Sequence, residues 1–129
     1  MLVQPALYLT AIILGSMIFF SFIVAPITFK LLDEENSKKF IRGIFPFYYL
    51  LNLFLSLAAS ILFYLNQNLS TDFLLMVSIS ILFAFSNFIL MPMINNFRDN
   101  NEDKKFKISH FVSVIINFIQ LIFLMIILL

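Results

Sequence analysis

The stretch FPFYYLLNLFLSLAAS, residues 45–60, combines the two features that decide the fold of this chain. It is apolar enough to enter a membrane, yet it carries Asn52, Ser56 and Ser60 at a spacing of four residues. Residues four apart lie on the same face of a helix, so these polar groups form a stripe on an otherwise apolar helix. Polar groups that face lipid without hydrogen-bond partners are costly. The stripe therefore predicts a membrane helix that packs against other helices.

The composition of the whole chain indicates an integral membrane protein. Of the 129 residues, 62% are hydrophobic and 12% are charged, and the mean hydropathy is +1.04. A soluble domain of this composition would expose too much apolar surface to stay monomeric. The length fits one domain, residues 1–129. The absence of cysteine excludes a disulfide framework, thiolate metal sites and thiol catalysis.

Four segments reach the roughly 20 mostly apolar residues that a membrane-spanning helix needs. They cover residues 6–29, 47–64, 73–93 and 108–129. Short connections favour antiparallel neighbours, so we predict an all-α four-helix bundle.

The first connection, residues 30–45, has a helical pattern of its own. Its acidic residues precede its basic ones, in the order that suits a helix dipole. Gly43 and Pro46 then favour the end of a helix. We therefore predict a short helix that lies in the membrane interface and ends before the second span. A solvated charged linker is the alternative.

The basic residues predict the orientation in the membrane. All eight lie in residues 30–45 and 94–107, and the turn between the second and third spans has none. Because positive charge marks the cytoplasmic side, both charged connections are expected in the cytoplasm and both termini outside the plasma (inner) membrane. No Lys or Arg precedes the first apolar run, so it lacks the n-region of a signal peptide and is interpreted as a retained helix.

Polar residues of three spans are expected to meet in one layer. His110, Ser113 and Asn117 have the spacing i, i+3, i+7, which places them on one stripe of the last span. Asn117 lies roughly 10 Å deeper than His110 at the rise of a helix. We predict a polar cleft in the cytoplasmic half, beside Pro26, Pro46 and Pro92, that is lined by Asn52, Asn87, His110, Ser113 and Asn117. Alternatively, these side chains only hold helices together.

Catalytic and metal-binding groups are scarce in the spans. No Asp, Glu, Lys or Arg lies inside them, which removes candidates for a charge relay or a carboxylate proton path. His110 is the only histidine, and an imidazole can bind a metal or haem iron or take a proton near neutral pH. Without cysteine or a buried carboxylate, a closed zinc site is not expected. We predict no catalytic residue and no cofactor, with His110 as the one candidate for a metal or haem.

Three motifs resemble a known family, the transmembrane protein 205-like family, which is the bacterial domain of unknown function 4149. One is Gly15 followed by FFSFIVAPITFKLL, residues 19–32. The F-P-x-Y signature matches Phe45, Pro46 and Tyr48, and the H-x-x-S-x-x-x-N signature matches His110, Ser113 and Asn117. Asn87 and Pro92 resemble an Asn and a Pro near the end of the family's third helix. The resemblance implies four spans, and a eukaryotic relative's association with resistance to platinum drugs implies transport.

Three functions remain open from the sequence. The first is a non-enzymatic membrane protein whose cleft binds a solute or a lipid head group for transport. The second is a scaffold or assembly factor whose basic connections dock a partner. The third is a redox or metal protein that uses His110. The expected partners are the lipid bilayer and either a second copy or another membrane protein, and no nucleic acid.

Overall fold

The protein is a bundle of four long helices. The structure is a computed structural model that describes residues 2–129, except for the side chain of residue 67. The helices are α1 (Val3–Leu31), α2 (Glu34–Gln67), α3 (Thr71–Asp99) and α4 (Asp103–Leu128). The chain is 92% helical, and the described part contains no strand. Each helix is long and apolar enough to cross a membrane, which confirms the predicted all-α four-helix membrane bundle.

The helices form a ring in which α1 and α3 lie diagonally opposite each other. Each of them packs against α2 and α4, and their backbones do not approach one another in the part of the chain described. Tight turns connect α2 to α3 and α3 to α4, where Asn68 and Asn101 adopt φ values of 51° and 56°. Asparagine tolerates this left-handed conformation better than most residues. We call the end with the α1–α2 and α3–α4 connections the charged end.

The first connection differs from the prediction. Helix α2 runs without interruption from Glu34 to Gln67 and includes both Gly43 and Pro46. The predicted interfacial helix that ends at Pro46 is therefore wrong, because this charged segment is the first part of α2. A proline inside a helix removes one backbone hydrogen bond. Packing from α1 on both sides of Pro46 holds the helix together, since the Phe20 ring lies 5.2 Å from the Phe45 ring and 4.2 Å from the Tyr48 ring between centroids.

Two π-helical turns interrupt α1 and α3 near the charged end. They cover Phe20–Val24 in α1 and Ser86–Leu90 in α3. Each π turn ends two residues before a proline, which is Pro26 in α1 and Pro92 in α3. A proline ring clashes with the carbonyl of the preceding turn, and a wider turn gives it room. Both helices continue beyond their prolines. Such π turns are a common cause of a change in helix direction.

The half of the bundle away from the charged end is closely packed. Ala6, Ile13 and Leu124 are completely buried there. Hydrogen bonds join the helices as well: Ser80 Oγ donates to Ser56 Oγ at 2.8 Å, and Gln120 Nε2 donates to the Ile79 carbonyl at 3.1 Å. The serine stripe of α2 therefore serves helix packing.

Candidate functional site

Helix α1 separates from α4 at the charged end. The first part of α1, Val3–Phe19, packs against α4, but the Cα atoms of residues 20–31 all stay more than 8 Å from those of α4. The separation begins at the π turn Phe20–Val24. A change of helix direction at such a turn is expected, and it leaves a gap between two helices that touch elsewhere.

This gap forms a cavity of about 350 Å³, which we call the seam cavity. Its size falls at the lower end of the range for small-molecule sites, roughly 300–1,000 Å³. Three phenylalanines at its rim, Phe22, Phe29 and Phe118, are 57%, 57% and 51% exposed, so the cavity opens on the outer surface of the bundle. The lining residues are Phe20, Ser21, Phe22, Ala25, Pro26, Phe29, Phe45, Tyr48, Tyr49, His110, Ser113, Val114, Asn117, Phe118 and Leu121.

A row of hydrogen bonds crosses the inner wall of the seam cavity and links three helices. Asn117 Nδ2 on α4 donates to Ser21 Oγ on α1 at 3.0 Å. Tyr48 Oη on α2 donates to Asn117 Oδ1 at 3.4 Å, a long and therefore weak bond. Closer to the charged end, Ser113 Oγ donates to the His110 carbonyl at 2.6 Å. The cavity is thus mainly apolar, with polar groups along one side.

Aromatic packing fixes Tyr48 in this wall. Its ring stacks on Phe20 with the centroids 4.2 Å apart and meets Tyr49 edge-on at 5.1 Å. Such aromatic pairs stabilise a structure beyond the area that they bury. The position of the Tyr48 hydroxyl is therefore set by the fold and does not depend on a ligand.

A second, smaller cavity of about 140 Å³ adjoins the seam cavity at the charged end. We call it the basic cavity because Lys38, Arg42 and Arg98 line it. It shares five wall residues with the seam cavity: Ala25, Phe29, Phe45, His110 and Ser113. Its other lining residues are Ile41, Met91, Ile94, Asn95 and Phe106. The imidazole of His110 lies parallel to the Phe106 ring, with the centroids 5.9 Å apart.

One ion pair closes part of the basic cavity. The Arg42 guanidinium donates two hydrogen bonds to the Asp99 carboxylate, at 2.6 and 3.2 Å, and a longer one of 3.4 Å to the Asn95 carbonyl. Asp99 lies at the polar end of α3, beyond the apolar part of the helix. The hydrogen bonds from Arg42 hold the pKa of the Asp99 carboxyl below its usual value. The Asp99 carboxylate therefore remains charged at neutral pH.

Comparison with known proteins places the chain in a family. Residues 8–103 match the model of the family described as "Domain of unknown function (DUF4149)". The chain belongs to this family. The match covers most of the chain and includes Phe45, Pro46 and Tyr48, but it ends before His110. None of the curated proteins and none of the solved structures matches. The link to the transmembrane protein 205-like family remains a resemblance.

The structure brings three of the five predicted cleft residues together. His110, Ser113 and Asn117 all line the seam cavity. Asn52 is completely buried elsewhere: its side-chain oxygen accepts from Ser16 Oγ at 2.8 Å, and its Nδ2 donates to the Tyr48 carbonyl at 3.0 Å.

Of the remaining predicted residues, Pro26, Phe45 and Tyr48 line the seam cavity, and the others lie away from it. Asn87 is half-buried in the π turn of α3 and lines neither the seam cavity nor the basic cavity. Pro46 and Pro92 are exposed. Gly15 faces outward, and apart from its two neighbours and the backbone of its own helix, no atom lies within 4 Å of where its Cβ would be.

Sequence reasoning missed two polar groups that the site uses, Ser21 and the Tyr48 hydroxyl. Ser21 is a single serine in an apolar run, and the π turn that contains it leaves no periodic signal. The sequence identifies Tyr48 through the F-P-x-Y signature and does not place its hydroxyl in the cleft.

The donor set offers little to a metal. Within residues 2–129 no three His, Cys, Asp or Glu side chains are placed to hold a metal ion together.

Proposed function

We propose that this DUF4149 protein binds a membrane lipid in the seam cavity. The observation that carries the proposal is the opening between α1 and α4, which faces the side of the bundle that the bilayer covers. An acyl chain that enters from the bilayer would meet the apolar wall formed by Phe22, Phe29 and Phe118. The Ser21–Asn117–Tyr48 row offers hydrogen bonds to an ester or hydroxyl group at the end of that chain.

The packing favours binding over a passage through the bundle. Beyond the seam cavity, the bundle is filled by buried side chains such as Ile13, Met17 and Leu124. Transport across the membrane would require these helices to move apart, whereas binding from one side needs no rearrangement.

The orientation that we propose places the charged end in the cytoplasm of the cell and both termini outside the plasma membrane. The natural chain has no cysteine, so a thiol reagent can react with a single-cysteine variant only at the position of the substitution. Lys39 and Leu69 are exposed at opposite ends of the bundle. A membrane-impermeant maleimide should label Leu69→Cys in intact cells and Lys39→Cys only after permeabilisation. The reverse pattern would show the opposite orientation.

Lipid binding is tested by photolabelling in reconstituted vesicles. A phospholipid with a diazirine on one acyl chain should label the seam around Phe22 and Phe118 more strongly than the surface around Ile81 on α3. Ile81 is 62% exposed, so it serves as a matched site without a cavity. An excess of unlabelled lipid should reduce the seam labelling selectively. Labelling that follows exposure alone would contradict lipid binding in the seam cavity.

A further inference from the structure

We propose that the basic cavity binds the phosphate of an anionic phospholipid whose acyl chain occupies the seam cavity. This inference rests on the proposed function and names the class of lipid that the site selects. The two cavities adjoin through their shared wall, so one molecule can reach both.

The charges around the basic cavity are unbalanced. Lys38, Arg42 and Arg98 line it, and Asp99 pairs with Arg42. In the described part of the chain, no carboxylate lies within 4.0 Å of the side-chain nitrogens of Lys38 or Arg98. Instead, the Arg98 guanidinium lies over the Phe106 ring, 5.0 Å from its centroid, which holds the side chain beside the cavity. Two positive charges are thus left for a ligand.

Arg42 also offers a hydrogen-bond donor that is not used. Its Nε is buried and, among the described residues, has no hydrogen-bond partner, although both terminal nitrogens are bonded. A buried donor without a partner is uncommon and destabilising, so a small movement of the Arg42 side chain that brings Nε to an acceptor would be favourable. A phosphate oxygen is a suitable acceptor, because guanidinium groups bind phosphate with strong, charge-assisted hydrogen bonds.

The size and position of the basic cavity fit a head group. Its volume of about 140 Å³ far exceeds the roughly 10–15 Å³ that one water molecule needs. It lies at the level where the apolar spans give way to the charged connections, and phospholipid phosphates lie at the same level of a bilayer. A lipid with its phosphate here can extend its chain into the seam cavity without passing through the core.

The experiment measures competition for the photolabelled seam. Vesicles of phosphatidylcholine contain the reconstituted protein and a trace of diazirine-labelled phosphatidylglycerol, and unlabelled phosphatidylglycerol or phosphatidylcholine is added. Phosphatidylglycerol should compete at least about tenfold better, because each basic side chain near the surface contributes to anionic lipid binding. Arg98→Gln and Lys38→Gln should each reduce this preference about fivefold. Lys104→Gln removes the same charge from an exposed residue outside both cavities and should leave the preference unchanged.

The controls separate the two proposals. Seam labelling with diazirine-labelled phosphatidylcholine should persist in both variants, which shows that they fold. Equal competition by the two lipids would overturn the head-group site and leave lipid binding intact, whereas the absence of seam labelling would overturn both. If Lys104→Gln lost the preference for phosphatidylglycerol to the same extent, general surface charge would explain the preference. That result would contradict a head-group site in the basic cavity. Displacement of the lipid by millimolar inorganic phosphate alone would also contradict it, because the cavity would then bind the free anion.

Discussion

A Tyr48→Ala variant is expected to lose about 3–5 kcal/mol of the free energy of unfolding, the usual result of removing a buried aromatic ring. Tyr48 is only 8% exposed, and it packs against both Phe20 and Tyr49. Its ring also forms part of the wall of the seam cavity. Removal of the ring would therefore leave a void that α1 and α4 cannot fill without moving. Reversible unfolding in mixed detergent micelles measures the change.

The matched control is Tyr48→Phe, which keeps the ring and removes only the hydroxyl. The lost bond to Asn117 is 3.4 Å long, and interhelical hydrogen bonds in membranes contribute about 0.6 kcal/mol on average. The phenylalanine variant should therefore unfold almost like the natural protein. If Tyr48→Ala also unfolded almost like the natural protein, the aromatic cluster would not stabilise the packing of α1 against α2.

The second large effect is expected on lipid binding, in an Ala25→Phe variant. Ala25 is half-buried and lines both cavities, so a phenyl ring there would occupy the space where they adjoin. A ligand that must overlap a bulky side chain loses about 1–3 kcal/mol, by analogy with overpacked cores. We therefore expect the photolabelling of the seam by a diazirine phospholipid to fall about tenfold.

Ala11→Phe provides the control for this second prediction. Ala11 lies on the same helix, is exposed, and lines neither cavity. The same added ring should leave the labelling unchanged there. Equal labelling in Ala25→Phe and the natural protein would show that the lipid does not occupy the space beside Ala25.

The sequence predicted the spans well because hydropathy and length decide them. The first three predicted spans lie within helices of the structure, and the fourth extends one residue beyond the end of its helix at Leu128. It also predicted the grouping of His110, Ser113 and Asn117, since α4 is a regular helix in which spacing alone places residues on one face. The separate interfacial helix was wrong because the tendency of Pro46 to end a helix is local, whereas the packing that keeps α2 continuous comes from other helices.

Asn52 and Asn87 show why the rest of the site could not be predicted. The depth of a residue follows from its position along a helix, but its direction depends on which helix lies beside it. Asn52 faces Ser16 of α1, away from the cavity, and Asn87 lies in α3, which contributes nothing to the seam cavity. The π turn Phe20–Val24, which opens the seam, has no signature in the sequence apart from the proline that follows it.

The two π turns also relate the two halves of the chain to each other. Each half is a helical hairpin whose first helix has a π turn at the same distance from a proline, so the ring has two corresponding junctions, α4 with α1 and α2 with α3. The second junction is closed by Ser56 with Ser80 and by Arg42 with Asp99, whereas the first is open at the charged end. The two junctions therefore differ within the plane of the bilayer, and the α4–α1 junction is the one at which a lipid diffusing in that plane would meet the seam cavity.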